Sequence, residues 1–248
     1  MSEQIKVAVI GAAGRMGSQA CQAVEAAEDL ALVGRYDVGD ELGDLSGAAV
    51  AVDLTVPGSS PGNVAHCVSR GVHAVVGTTG WDDSRLQALH TQLNDQPKVG
   101  VLIAPNFAIG ALLMMSFARQ AAPFYESVEV IETHHPDKVD APSGTAARTA
   151  RLIAQVRDEA DLEGVPDATT SDPEGARGGL IDGIPVHSLR IRGRVAHQEV
   201  AFGNPGEGLT IRHDSFDRAS FMPGVLTGVR RVAAHPGLTV GLEHYLDL

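Results

Sequence analysis

The densest run of reactive side chains in the 248-residue chain lies between Glu129 and Ala146 and reads EVIETHHPDKVDAPSGTA. His134, His135 and Lys138 supply two imidazoles and an ammonium, and Ser143, Gly144 and Thr145 stand where a helix should begin. A helix N-terminus offers backbone N–H groups to anions. Protonated donors beside such groups suit a carboxylated substrate that needs a general acid. Adjacent histidines also invite a metal ion. At a strand end, however, neighbouring side chains point to opposite faces, so one ion cannot easily take both, and no metal is expected. The plainer reading, a polar loop with a Ser or Thr cap, leaves the concentration of His and Lys unexplained.

A second group of residues is suited to a dinucleotide. Gly11, Ala12, Ala13, Gly14, Arg15, Met16 and Gly17 lie between the first apolar run and the first helical one, where a pyrophosphate meets a helix N-terminus. The spacing is G-x-x-G-x-x-G, so turn and packing glycines explain it nearly as well when it is taken alone. Asp37 should close the second strand, where an acidic side chain hydrogen-bonds the adenosine ribose; Arg15 and Arg35 are alternatives that would hold a 2′-phosphate. Gly77, Thr78, Thr79 and Gly80 follow one strand, and Ala104, Pro105, Asn106 and Phe107 follow another. Both segments belong at the carboxyl edge of the sheet, where ligands of open α/β sheets bind.

Three other chemistries fail on single residues. Gly58-Ser59-Ser60-Pro61-Gly62 matches a hydrolase nucleophile elbow, but Pro61 has no N–H to give an oxyanion hole. No tyrosine has a lysine four residues on, as a short-chain dehydrogenase would need. Cys21 and Cys67, the only cysteines, fall within expected helices rather than in a site loop.

The elements that must position these residues change character near Pro105. Before it, strands at 5–10, 30–35, 49–56, 73–76 and 99–104 alternate with helices at 16–27, 60–70 and 82–94, the pattern of a doubly wound parallel sheet. After it come a helix over 109–122, a strand over 127–134 and a helix from 143 to about 160. A mobile loop over 162–185 is rich in Gly, Pro, Asp and Thr. Strands at 186–191, 196–202 and 209–213 follow, and a helix over 218–234 ends the regular structure. The fold class is therefore α/β, a Rossmann-like doubly wound parallel sheet with an inserted α+β unit. The expected domains are residues 1–107 plus 217–248 for the dinucleotide, and 108–216 for substrate and oligomerisation.

Composition removes whole classes of partner. A formal net charge of −12 argues against nucleic acid, which needs a basic face. No apolar run approaches the roughly eighteen residues of a membrane span. Two unpaired cysteines and an opening with no signal-peptide core lead to the expectation of a cytoplasmic protein.

The Glu129–Ala146 segment resembles the signature of the 4-hydroxy-tetrahydrodipicolinate reductases, long called dihydrodipicolinate reductases, E-[IV]-x-E-x-H-x-x-x-K-x-D-x-P-S-G-T-A, with every fixed position filled. The resemblance continues through the glycine-rich start, Val75–Gly80, Ala104–Ala108, Asp182–His187, Ser215–Arg218 and Gly224-Val225. It implies reduction of a small cyclic dicarboxylate by NADH or NADPH, in lysine and diaminopimelate biosynthesis. It also implies His134 as proton donor and acceptor, Lys138 as proton donor, and His135, Gly144 and Thr145 as substrate contacts. Residues 11–16, 77–79 and 104–107 would take the cofactor, and the assembly would be a homotetramer. Asp37 set against Arg15 and Arg35 leads to the expectation that both cofactors are used. A non-catalytic NAD(P)H-sensing regulator is the alternative from another class, since it would not need His134 and Lys138.

Overall fold

Short apolar runs become strands wherever the chain buries both faces of a sheet. In chain order, β1 (Ile5–Ile10), α1 (Arg15–Ala26), β2 (Leu30–Tyr36), β3 (Val50–Asp53), α2 (Ser60–Ser69), β4 (His73–Val76), α3 (Asp83–Leu93) and β5 (Gly100–Ile103) come first. Next come α4 (Ile109–Ala121), β6 (Ser127–His134), α5 (Gly144–Glu159), β7 (Gly179–Ile181), β8 (Ile184–Arg190), β9 (Ala196–Asn204) and β10 (Glu207–Ser215). The chain closes with α6 (Met222–Arg231) and β11 (Gly237–Val240). The computed structural model describes residues 4–246 and divides into two units, Met1–Ile109 with Arg218–Leu248, and Gly110–Asp217.

The first unit is a parallel sheet in the order β11-β5-β4-β3-β1-β2. Val50, Ala51, Val52 and Asp53 are all buried, as a strand covered on both faces requires. Helices α1 and α6 touch one another, as do α2 and α3, which gives the sheet its two layers. Strand order reverses at β1, with β2 on one side and β3 on the other, which makes the carboxyl ends of β1 and β3 the switch point.

The second unit is a five-stranded mixed sheet, β10-β9-β6-β8-β7, in which only β6 and β8 run parallel. Helix α5 packs on β6 and β8 over a core that includes Val128, Val130, Ala150, Ile153, Val186 and Phe202.

Two expectations need correction. The loop expected over 162–185 ends earlier, because β7 and β8 form a hairpin across Asp182-Gly183, both at positive φ (48° and 83°). Asp-Gly is the sequence of a two-residue hairpin turn, but the surrounding Gly and Pro concealed it. The loop itself is fastened by Arg177, which reaches Glu129 at 2.5 Å and Asp167 at 3.1 Å. The helix expected over 218–234 is α6 with a 3₁₀ turn at each end. It does not end the regular structure, since β11 then pairs with β5 at the sheet edge.

Gly17 holds α1 against the loop after β1. A Cβ built there would lie 1.9 Å from the Gly11 carbonyl oxygen, and backbone on both sides cannot yield as a flexible side chain can. Gly17→Ala should therefore lose about 1–3 kcal/mol in urea unfolding. Gly62→Ala, with open space around the added carbon, should be neutral or slightly stabilised. Equal stabilities for the two variants would refute this account of the packing.

Candidate active site

Alternation along β6 places Val128, Val130 and Glu132 on one face, and all three are fully buried. A carboxylate at a core register must have its oxygens satisfied by the protein. Parallel pairing sets Arg190 of β8 opposite His134, and Ser188 opposite Glu132. From there the Arg190 guanidinium donates to both oxygens of Glu132, at 2.9 Å each. The Ser143 N–H donates to Oε1 at 3.2 Å, and His134 Nδ1 lies 2.5 Å from Oε2. Burial raises the Glu132 carboxyl pKa, but the hydrogen bonds from Arg190, Ser188 and His134 outweigh it, and the net shift is downward.

His134 ends β6 and is half-buried. Its pKa falls below the ordinary imidazole value of 6.5; burial is the main cause, opposed by Glu132 and reinforced by the Lys138 and Arg190 cations. Lys138 lies in the next turn, its ammonium 2.7 Å from Asp140 and its side chain only 21% exposed. Arg190 also donates to the Asp140 carbonyl at 2.7 Å, so one guanidinium ties the Lys138 turn to the His134 strand. Ser143 caps α5 by accepting from the Ala146 N–H. Gly144 opens that helix, and a Cβ there would meet nothing. Neither packing nor a positive φ demands glycine at this position. A close approach from outside the chain would.

In the first unit the glycine-rich turn is held by its own hydrogen bonds. Gly11 has φ +83°, and the N–H groups of Gly11 and Ala12 both donate to the Tyr36 carbonyl. Gly14 is the N-cap of α1 and no side chain caps that helix, which leaves its first N–H groups to an anion. Asp53, at the end of β3, is 1% exposed. It accepts from Thr55 Oγ1 at 2.6 Å, Thr78 Oγ1 at 3.1 Å and Asn63 Nδ2 at 3.2 Å. Its partners Thr55 and Thr78 line a cleft of about 220 Å³ with Met16, Gly77, Ala104, Asn106 and Phe107. Thr55 and Asn63 also line a second cleft, of about 420 Å³, with Gly11, Gly14, Asp37 and Asp40.

The sequence matches the family model for the N-terminus of dihydrodipicolinate reductase over residues 5–107, and that for its C-terminus over residues 110–246. The chain belongs to the dihydrodipicolinate reductase family. Relatives include the 4-hydroxy-tetrahydrodipicolinate reductases of Streptomyces griseus subsp. griseus, 60% identical over 99% of both chains, and of Cutibacterium acnes, 61% identical over 98% of this chain and 99% of that one. Among solved structures, dipicolinate-bound dihydrodipicolinate reductase from Paenisporosarcina sp. TG-14 superposes with a TM-score of 0.85 at 39% identity, covering 97% of this chain and 99% of that one.

Within this family fold, the residues singled out from sequence fall into two sets. His134, His135, Lys138, Gly144 and Thr145 all lie between the end of β6 and the start of α5. Gly11, Gly14, Met16, Asp37, Gly77, Thr78, Ala104, Pro105, Asn106 and Phe107 line the two clefts of the first unit. Ala12, Ala13 and Arg15 belong to the same turn without lining either cleft, and Thr79 is exposed just beyond Thr78.

Two polar side chains beside the glycine turn have partners within the chain. Asp37 follows β2 directly and accepts from the Ala13 N–H at 2.6 Å and the Val38 N–H at 2.8 Å. These bonds hold its carboxyl below the usual range. Arg35 pairs with Glu25 at 2.5 Å and lines neither cleft. Sequence reasoning missed Arg190 and Asp53 and gave Glu132 no role. The signal for Glu132 and Asp53 was a charge where strand periodicity calls for an apolar residue. Among the described residues no His, Cys, Asp and Glu cluster has metal-binding geometry. No helix there is long and apolar enough to cross a membrane.

The His134 shift can be checked directly. An imidazole whose charged form is disfavoured releases its proton at lower pH than a free one. The His134 ring resonance of the ligand-free protein should therefore titrate with a midpoint below 6.5. A midpoint above that value would mean that Glu132 outweighs burial and the two cations.

Proposed function

We propose that the chain reduces 4-hydroxy-tetrahydrodipicolinate, by way of dihydrodipicolinate, to tetrahydrodipicolinate with NADH or NADPH, in lysine and diaminopimelate biosynthesis. One observation carries the reading: His134, Lys138 and the N-terminus of α5 converge on one stretch of the second unit in a chain of net charge −12. A cyclic dicarboxylate needs such a local reversal of charge, and a reaction that adds hydride to carbon also needs a proton donor.

The residues of the first unit fit a nicotinamide dinucleotide. An uncapped helix N-terminus and a left-handed Gly11 suit the pyrophosphate, and Gly77, Thr78, Asn106 and Phe107 suit the ribose and nicotinamide. When bound, the reduced nicotinamide supplies the hydride. Dual cofactor use sets Arg15 and Arg35, which flank the glycine turn and would pair with a 2′-phosphate, against Asp37, which lines the second cleft and favours the free ribose hydroxyls of NADH. His134 delivers the proton, with Lys138 as a second donor. His135, Gly144 and Thr145 hold the substrate carboxylates. An anionic ligand beside His134 raises the imidazole pKa and so loads it with the proton it must give.

The test couples product of the synthase reaction to loss of nicotinamide absorbance with each cofactor in turn. Turnover is expected, and His134→Ala and Lys138→Ala should each lower kcat at least ~10²-fold while dinucleotide binding persists. Folded protein that binds NADH but never oxidises it would instead be the sensing regulator.

The second unit also supports self-association. Its edge strands are β7 and β10, and Leu180 of β7, Leu189 of β8 and Ile191 just beyond it are exposed. Phe117, Phe124, Leu209 and Ile211 line an open apolar groove of about 430 Å³. Unpaired edges and apolar surface of this kind call for a cover, and a homotetramer formed through strands 186–213 supplies one. Light scattering at micromolar concentration should give four times the 25.9 kDa chain mass. A monomer would rule this assembly out.

A further inference from the structure

We infer that Glu132 and Arg190 are positioning residues for His134, fixing its imidazole with a proton on Nδ1 and leaving Nε2 as the reacting nitrogen. The inference rests on the proposed role of His134 in proton transfer. Its basis is how the four groups around the Glu132 carboxylate are placed.

Glu132 has no exposure; besides the Ser188 hydroxyl, its two oxygens receive Arg190 Nη1, Arg190 Nη2 and the Ser143 N–H. These last three can only donate, and a buried carboxylate so supplied beside a guanidinium is ionised. An ionised carboxylate has no proton to give. The 2.5 Å contact with His134 must therefore be a donation from Nδ1–H, and in the neutral ring the lone pair falls on Nε2. Backbone register makes this arrangement hard to avoid. Glu132 and His134 share a face two residues apart, and Arg190 sits directly across from His134. The guanidinium thus acts on the imidazole through Glu132, and on the Lys138 turn through the Asp140 carbonyl.

A purely structural ion pair would be an alternative use of the same residues. Buried ion pairs are weak stabilisers compared with apolar packing, and this one is directed at an imidazole at the strand end. In the reaction, Nε2–H gives its proton to the substrate, Nδ1–H stays with Glu132, and solvent returns a proton to Nε2. The carboxylate stabilises the imidazolium before transfer and prevents ring rotation throughout.

Two measurements test this. Nitrogen NMR of the ligand-free wild-type protein, with His134 assigned by the signal missing in His134→Ala, should show Nδ1 protonated and Nε2 bare above the imidazole midpoint. The opposite tautomer overturns the inference, and this measurement depends on no variant's keeping the wild-type fold. Kinetically, Glu132→Gln should lower kcat about 10–100-fold, as loss of an outer partner of a functional imidazole does, with little change in KM. In a His134→Ala background the same change should add nothing, because Glu132 acts through the imidazole. A further full loss in that background would mark Glu132 as structural and sink the inference alone. Wild-type turnover in His134→Ala would sink the role of His134, and the inference with it.

Discussion

A carboxylate taken out of water must have its lone pairs satisfied by the protein, and each unit of this chain is organised around one such group. Glu132 and Asp53 both stand within the last three residues of a core strand, at 0% and 1% exposure. Leaving such a charge unpaired costs several kcal/mol, so the groups that satisfy it are held firmly. Those groups belong to the candidate sites. Around Glu132 they are His134, Arg190 and the Ser143 turn that starts α5; around Asp53 they are Thr55, Thr78 and Asn63. The geometry available for chemistry therefore follows from burying two charges.

Charge is distributed to match. The chain as a whole is acidic, at −12, yet Lys138, Arg190, His134 and the positive end of α5 collect beside one another. Each cation there also has a nearby acceptor: Glu132 for Arg190, Asp140 for Lys138. The cations are thus held in place by carboxylates rather than exposed as an uncompensated cluster. On the first unit the arrangement is reversed in kind. The anion-binding capacity comes from backbone N–H groups at α1, while Asp37 and Asp40 line the neighbouring cleft. Backbone donors carry partial charge, so an anion can be held there beside acidic side chains.

Much of this was legible in the sequence, and the misses have physical causes. Apolar runs located β1 to β6 within a few residues: β3, β4 and β5 because strands buried on both faces leave little freedom of composition, and β6 because its buried residues alternate. The Glu129–Ala146 segment announced itself by residue type. Partners that meet only through strand pairing did not: Arg190 is 56 residues from His134, and nothing local to it signals a role. Asp37 and Arg35 were read for the adenosine end, but single-residue reasoning could not show that the first accepts from the Ala13 N–H and the second pairs with Glu25. The strand β11 has four residues, the first of them Gly237, and is too short for periodicity to register.

In the proposed reaction this chain moves hydride onto carbon, and a protein group completes the reduction with a proton. The most direct measurement is isotopic. With NADH deuterated at the transferable position of nicotinamide C4, and substrate made by the synthase in ordinary water, mass spectrometry of the product follows the label. Tetrahydrodipicolinate carrying deuterium from the nicotinamide is expected. Unlabelled product, or cofactor that is bound but keeps its deuterium, would contradict the proposed reaction.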